Sequence, residues 1–122
     1  MSDTDLQRYA EFFEQLSPDC LKQLASVMTE DIRFVDPFND VVGLKQVEKI
    51  LQKMFNSLNN PTFTVTHAAM AGNLEPRGLL RWELNSVRKG LPCITVGMSE
   101  VFFAGDGRVK SHVDHWDAAK QF

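Results

Sequence analysis

The sequence has few cysteines and no block of basic residues, and each shortage excludes a class of protein. Two cysteines, Cys20 and Cys93, cannot form the framework of several disulfides that small secreted domains use. We therefore expect two buried thiols in a protein of the reducing cytoplasm. The sequence has 13 Lys and Arg against 16 Asp and Glu, which gives a net charge of −3. This balance argues against nucleic acid or an anionic membrane surface as the main partner.

Long apolar runs are missing as well. No run approaches the length that crosses a membrane, and residues 1–5 are too polar and acidic for a signal peptide. What remains is ordinary globular composition, with 43% hydrophobic and 24% charged residues. A chain of 122 residues has room for one hydrophobic core and not for two, so we expect a single domain over residues 1–122.

The first half of the sequence has the periodicity of helices. Apolar side chains spaced for one helix face predict a first amphipathic helix: Leu6, Tyr9, Phe13 and Leu16. Ser17 and Pro18 are suited to begin a second helix. A third helix is predicted over about residues 44–57, where an Asn-Asn-Pro sequence closes it.

Residues 31–40, between the second and third helices, form the stretch around which we expect the fold to be organised. Ile32, Phe34 and Asp36 alternate along an extended segment, and Pro37 ends it. The alternation carries Asp36 inward, which is costly unless its carboxylate is paired, hydrogen-bonded or used in function. Two interpretations stay open at this point: Asp36 caps the following turn, or it belongs to a functional site.

From Pro61 onward the period changes from helical to two, which predicts antiparallel strands joined by turns at Gly90 and at residues 105–107. The whole pattern predicts an α+β fold. In it, three N-terminal helices pack in a strongly curved mixed or antiparallel sheet, a cone with a central pocket. The residues predicted to line that pocket are Phe63, Val65, His67, Trp82, Leu84, Ser99 and Trp116.

This order of elements, with Asp-Pro closing the first strand, resembles the nuclear transport factor two-like superfamily. That group includes ketosteroid isomerases, SnoaL-like polyketide cyclases, scytalone dehydratases and many uncharacterised bacterial proteins. Gln7-Arg8-Tyr9 is similar to the isomerase segment that carries an oxyanion-hole tyrosine, and Phe34-Val35-Asp36-Pro37 to the segment that carries a proton-shuttling aspartate. Ser99 stands where those isomerases have a protonated aspartic acid, and serine is a weaker donor.

The last predicted strand places His112 and Asp114 on one side of the chain. A carboxylate at this place is similar to the acid–base residue of the polyketide cyclases, and histidine with aspartate resembles the dehydratases. The resemblance thus implies four catalytic residues: Tyr9, Asp36, His112 and Asp114. Besides Asp36, two of these residues also have a structural interpretation: Asp114 could pair with Arg33 or Arg81, and Tyr9 could be a core residue with a satisfied hydroxyl. His67, one of the predicted pocket residues, is more typical of a wall or core residue than of a catalyst.

A metal site is not predicted, since His112 and His115 should point to opposite faces of one strand. We expect a cofactor-independent acid–base enzyme of the isomerase, cyclase or dehydratase type, acting on a small, largely apolar molecule. The alternative is a non-catalytic module that binds a small ligand or dimerises. An apolar stripe on the convex sheet face predicts a homodimer. It consists of Ile94, Val96, Met98 and Phe102.

Overall fold

The computed structural model describes residues 3–120. Its helices are α1 (Asp3–Glu14), a 3₁₀ helix (Pro18–Ser26), α2 (Leu44–Ser57) and a short 3₁₀ helix (Ala118–Lys120). Its strands are β1 (Met28–Val35), β2 (Asp40–Val42), β3 (Asn59–Ala71), β4 (Arg77–Arg88), β5 (Leu91–Phe103) and β6 (Val109–Trp116). The α+β class is therefore confirmed. Within residues 3–120, no helix is long and apolar enough to cross a membrane.

The six strands form one mixed sheet in the order β2-β1-β6-β5-β4-β3. The β1–β6 pair is parallel, and every other pair is antiparallel. Three of the pairs contain register shifts, in β1–β6, β3–β4 and β5–β6. Such irregularities bend strands and increase their twist. The first strand is thus joined to the last, which brings the residues of β1 beside those of β6.

The hydrophobic core lies between this sheet and the helices. Leu6 of α1 and Val47 of α2 are buried against Ile32 of β1 and Val101 of β5. Gly78 of β4 lets α1 approach, because a Cβ at this position would lie 2.6 Å from Leu6 and 2.8 Å from Val101. One layer of helices therefore covers the inner face of the sheet.

Two details of the first half differ from the predicted pattern. The second of the three expected helices is a 3₁₀ helix, and its buried side chains explain why. Leu21, Leu24 and Val27 are spaced by three residues, which is the period of a 3₁₀ helix. Strand β1 begins at Met28, ahead of the predicted stretch, because Met28 pairs with Val109 of β6 and is fully buried.

Candidate active site

The sheet register brings the polar residues of the inner face together. Ser99 of β5 lies directly opposite Asp114 of β6, and Phe34 of β1 lies beside His112 of β6. Tyr9 reaches the same place from α1, where it is buried with 1% of its surface exposed. Three of the four predicted catalytic residues are thus neighbours.

A continuous chain of hydrogen bonds joins these side chains. The Tyr9 hydroxyl lies 2.6 Å from Nδ1 of His112, and Nε2 of His112 lies 2.7 Å from Oδ1 of Asp114. The same carboxylate oxygen accepts a 2.5 Å hydrogen bond from the Ser99 hydroxyl. Ser99 in turn accepts a 2.8 Å hydrogen bond from Nε1 of Trp82. The chain therefore runs from α1 across β6 and β5 to β4.

The direction of each bond follows from the donors available. In the described part of the chain, the buried Tyr9 hydroxyl has only Nδ1 of His112 to donate to. This assigns the neutral tautomer of His112 with its proton on Nε2, where it donates to Asp114. Aromatic rings fix the imidazole in place: Phe34 stacks on it at 4.8 Å and 20°, and Phe13 lies 5.7 Å away.

The two carboxylate oxygens of Asp114 have different surroundings. Oδ1 accepts from both His112 and Ser99, whereas no hydrogen bond from any residue in 3–120 reaches Oδ2. The Asp114 side chain is only 15% exposed, and it lines a cavity. One oxygen is thus saturated while the other is an unused acceptor, which is the arrangement that a general base needs.

The cavity has a volume of about 50 Å³. Apart from Ser99, His112 and Asp114, its walls are aromatic and aliphatic: Phe13, Phe34, Leu51, Phe63, Val65, Leu80 and Trp82. Pockets for drug-sized ligands have volumes of roughly 300–1,000 Å³. The cavity is thus smaller than a typical drug-sized pocket, which favours a small ligand.

Sequence reasoning missed part of this wall. The sequence pattern places Phe13 on an apolar helix face and Phe34 on one side of a strand, but it does not predict that both face the imidazole. The signal for Phe13 was present, since it follows Tyr9 by four residues and so shares its side of α1.

Three predicted pocket residues lie outside the cavity wall: His67, Leu84 and Trp116. Val65 pairs with Trp82 while His67 pairs with Arg81, so Thr66 is the extra residue of a bulge. The bulge turns His67 to the outer face, where it is exposed. Leu84 lies on the inner face, two residues beyond Trp82 on β4, but it is only half-buried and does not line the cavity.

Trp116 lies on the inner face of β6, two residues beyond Asp114, and outside the cavity wall. The exposed ring of Phe38 packs against it edge to face, at 5.4 Å. This pair is placed beyond Asp114 along the strand, toward the turn that follows β1.

Asp36 lies outside the hydrogen-bonded chain. Its Oδ1 accepts from the backbone N–H groups of Phe38 and Asn39, both at 2.8 Å, and from the Asn39 side chain at 3.0 Å. These are the bonds of a carboxylate that caps a turn. The turn joins β1 to the short strand β2, which the sequence pattern did not predict.

The isomerase-like oxyanion hole is not assembled in this arrangement. The hydroxyl of Tyr9 is directed at His112, and the hydroxyl of Ser99 at Asp114. The prediction that His112 and His115 face opposite ways is confirmed, since His115 is exposed and lies 2.7 Å from Glu100 on the outer face. Nowhere in residues 3–120 do three or more metal-ligating side chains cluster.

Burial and charge both act on Tyr9. Removal of the phenol from water raises its pKa well above the usual value near 10, and the negative charge of Asp114 raises it further. The hydroxyl therefore keeps its proton at neutral pH and is able to donate to His112.

Tyr9 is the only tyrosine in the sequence, so ultraviolet absorbance reports its ionisation alone. We expect the folded protein to titrate above pH 10, and Asp114→Asn to lower the Tyr9 pKa without restoring the ordinary value, because burial is the larger cause. The pKa of Tyr9 is higher in the folded than in the unfolded protein. The contribution of Tyr9 to folding stability is therefore fully present below pH 10 and is lost as the pH rises through the folded pKa. If Tyr9 titrated near pH 10 while circular dichroism showed the protein to be folded, the burial of the Tyr9 hydroxyl would be contradicted.

The same architecture occurs in proteins of known structure, although identity is low. A protein from Jannaschia sp. CCS1, proposed to be a SnoaL-like polyketide cyclase, is 14% identical, with a TM-score of 0.81 over 99% of this chain and 92% of that one. An NTF2-like protein of unknown function from Burkholderia pseudomallei K96243 is 16% identical, with a TM-score of 0.80 over 99% and 95%. A protein of ketosteroid isomerase-like fold from Catenulispora acidiphila DSM 44928, solved with trimethylamine, is 17% identical, with a TM-score of 0.75 over 97% and 88%. This protein therefore has the NTF2-like, ketosteroid isomerase-like cone fold.

The sequence itself places the chain within that fold. Residues 9–112 match the model of the SnoaL-like domain. The chain belongs to the SnoaL-like family. No curated protein matches it significantly in sequence.

Proposed function

We propose that the protein is a cofactor-independent acid–base enzyme in which Asp114 removes a proton from a carbon atom of a small, largely apolar molecule. The observation that carries this proposal is the asymmetry of the Asp114 carboxylate. Oδ1 is held by two donors, while Oδ2 is an unused acceptor on a residue of the cavity wall. The membership of the SnoaL-like family supports the same class of chemistry.

The other residues of the hydrogen-bonded chain assist this proton transfer in our proposal. His112 holds Oδ1 through its Nε2–H, and Tyr9 fixes the tautomer that makes this possible. Asp114 takes the proton at Oδ2 and later returns it to another atom of the substrate, so no proton is lost. Return to a different carbon gives isomerisation, and attack of the resulting carbanion on a carbonyl gives cyclisation.

The hydroxyls of Tyr9 and Ser99 both donate to protein groups already, and this limits which substrates can react. Neither Tyr9 nor Ser99 is free to donate to an enolate oxygen, and such donors usually supply the largest stabilisation. We therefore propose a substrate whose carbon is already acidic, such as a small 1,3-dicarbonyl compound. The test is incorporation of deuterium from D₂O into 2-methyl-substituted 1,3-ketoesters, followed by proton NMR. Exchange faster than in matched buffer supports the proposal, and exchange at the buffer rate across the series argues against it.

A second candidate is a non-catalytic module that binds a small organic cation, and the charge of the cavity favours it. Asp114 is the only acidic lining residue, none of the described lining residues is Lys or Arg, and four aromatic rings surround the space. Aromatic faces and a carboxylate both attract ammonium groups. The Catenulispora protein of the same fold was solved with trimethylamine.

Ligands of equal shape and different charge separate the two candidates. A binding module for cations should hold tetramethylammonium and exclude the neutral tert-butanol and the anionic pivalate, with a change in tryptophan fluorescence as the readout. The acid–base enzyme should prefer the neutral molecule, because its substrate is uncharged. Preference for pivalate would contradict both.

We also propose that the protein forms a homodimer through the outer face of β5. Ile94, Val96 and Met98 are 58%, 45% and 49% exposed there, side by side on one strand. An apolar patch of this kind is typical of an interface. Phe102, the fourth residue of the predicted stripe, is instead half-buried beneath the Arg77 guanidinium, which lies 4.7 Å from its ring.

Val96→Lys should dissociate this dimer, because a charge would be buried in the centre of the patch. Sedimentation velocity at micromolar concentration measures the effect. Val42→Lys is the matched control, since Val42 is also exposed, at 63%, but lies on the edge strand β2. A wild-type monomer, or equal effects of the two variants, would contradict the proposed interface.

A further inference from the structure

We propose that Trp82 is a positioning residue for Asp114, acting through Ser99, and that Gly97 provides the space that this requires. The inference rests on the proposed role of Asp114 as the base. In this proposal β4 and β5 do more than form the cavity wall, because they determine which carboxylate oxygen of Asp114 is available to a substrate.

The first step is the hydroxyl of Ser99. An indole N–H can only donate, so Ser99 accepts the 2.8 Å bond from Trp82. Ser99 is 2% exposed, and its single proton is directed to Asp114. A serine side chain has three staggered positions. The indole selects the one in which Oγ lies between the two partners.

The second step is the position of the indole itself. Trp82 lies opposite Gly97 in the β4–β5 pair, and its six-membered ring covers the glycine. A Cβ at position 97 would overlap the Cζ2, Cη2 and Cε2 atoms of that ring. Phe63 packs against Trp82 with the two rings nearly perpendicular and their centroids 5.6 Å apart. The glycine is thus required for space, and any side chain there would displace the indole.

The consequence is that Asp114 is held from two strands. Ser99 on β5 and His112 on β6 both donate to Oδ1, and this fixes the rotation of the carboxylate. If the indole moves, Ser99 loses its orienting partner, and the carboxylate is no longer held in one position.

The experiment compares Trp82→Phe, Ser99→Ala and the double variant. The readout is the ¹³Cγ resonance of Asp114, which needs no substrate. Trp82→Phe should move this resonance in the wild-type background and have little effect in the Ser99→Ala background, because the indole acts only through the hydroxyl. Equal effects of Trp82→Phe in both backgrounds, or none in either, would overturn the proposal, since Trp82 would then be only a wall.

A second variant displaces the Trp82 indole without changing any hydrogen-bonding atom. Gly97→Ala should reproduce the shift seen with Trp82→Phe, while Gly105→Ala, whose Cβ has nothing within 4 Å, should not. Where the deuterium exchange is present, Trp82→Phe should slow it by about two- to tenfold, the value of one hydrogen bond between neutral groups. A shift of the Asp114 resonance without any wild-type exchange would retain the positioning role and remove the proposed function.

Discussion

His112→Ala is expected to lower the free energy of unfolding by about 3–5 kcal/mol, as breaking a buried polar pair and deleting a buried ring both typically do. The imidazole is 4% exposed and stacks on Phe34. Its removal leaves the Tyr9 hydroxyl without a partner and deletes one of the two hydrogen bonds to Oδ1 of Asp114. Urea denaturation measures the change, with an unchanged slope showing that folding remains two-state.

The same strand offers the control. His115 is also hydrogen-bonded to a carboxylate, but its side chain is 58% exposed on the outer face. A surface pair of this kind contributes about 0–1 kcal/mol, so His115→Ala should be nearly neutral. Similar losses for the two histidines would show that the buried chain of hydrogen bonds is not what stabilises this region.

Asp114→Asn is expected to slow the proposed deuterium exchange by about 10²–10⁴-fold, the usual contribution of a general base. The amide oxygen can still accept from Ser99 and His112, so the shape of the site is kept. The fold should therefore change little in stability. The measurement is the exchange rate of the ketoester series at equal concentrations of folded protein.

Asp36→Asn makes the same chemical change at the other candidate aspartate. Its carboxylate is bonded to Phe38 and Asn39 in the turn, so we expect weaker folding, by about 1 kcal/mol, and an unchanged exchange rate. If Asp36→Asn abolished exchange while Asp114→Asn did not, the base would be Asp36 and our assignment would be reversed.

Strand periodicity predicted much of this site because alternation is a property of the backbone. It placed Ser99, His112 and Asp114 on one inner face, and the register does so. It failed where the alternation is broken. The bulge at Thr66 reverses the faces beyond it, and nothing in a run of Thr, His and Ala residues marks where the extra residue lies.

Periodicity also says nothing about the direction of a hydrogen bond. Tyr9 lies on α1, as the family resemblance implied, and Asp36 lies directly after β1, in the turn. Their polar atoms, however, are directed to His112 and to the turn. These choices depend on rotamers and on neighbours distant in sequence: Tyr9 and His112 are 103 positions apart. Only the folded chain determines them.

The most direct test of the account is the protonation of His112, measured by ¹⁵N NMR at neutral pH. The chain of hydrogen bonds requires a neutral imidazole with the proton on Nε2 and an unprotonated Nδ1 that accepts from Tyr9. Asp114→Asn and Tyr9→Phe should each disturb these resonances. A proton on Nδ1 in the folded wild-type protein would mean that Tyr9 cannot donate there, and the proposed arrangement of the base would be wrong.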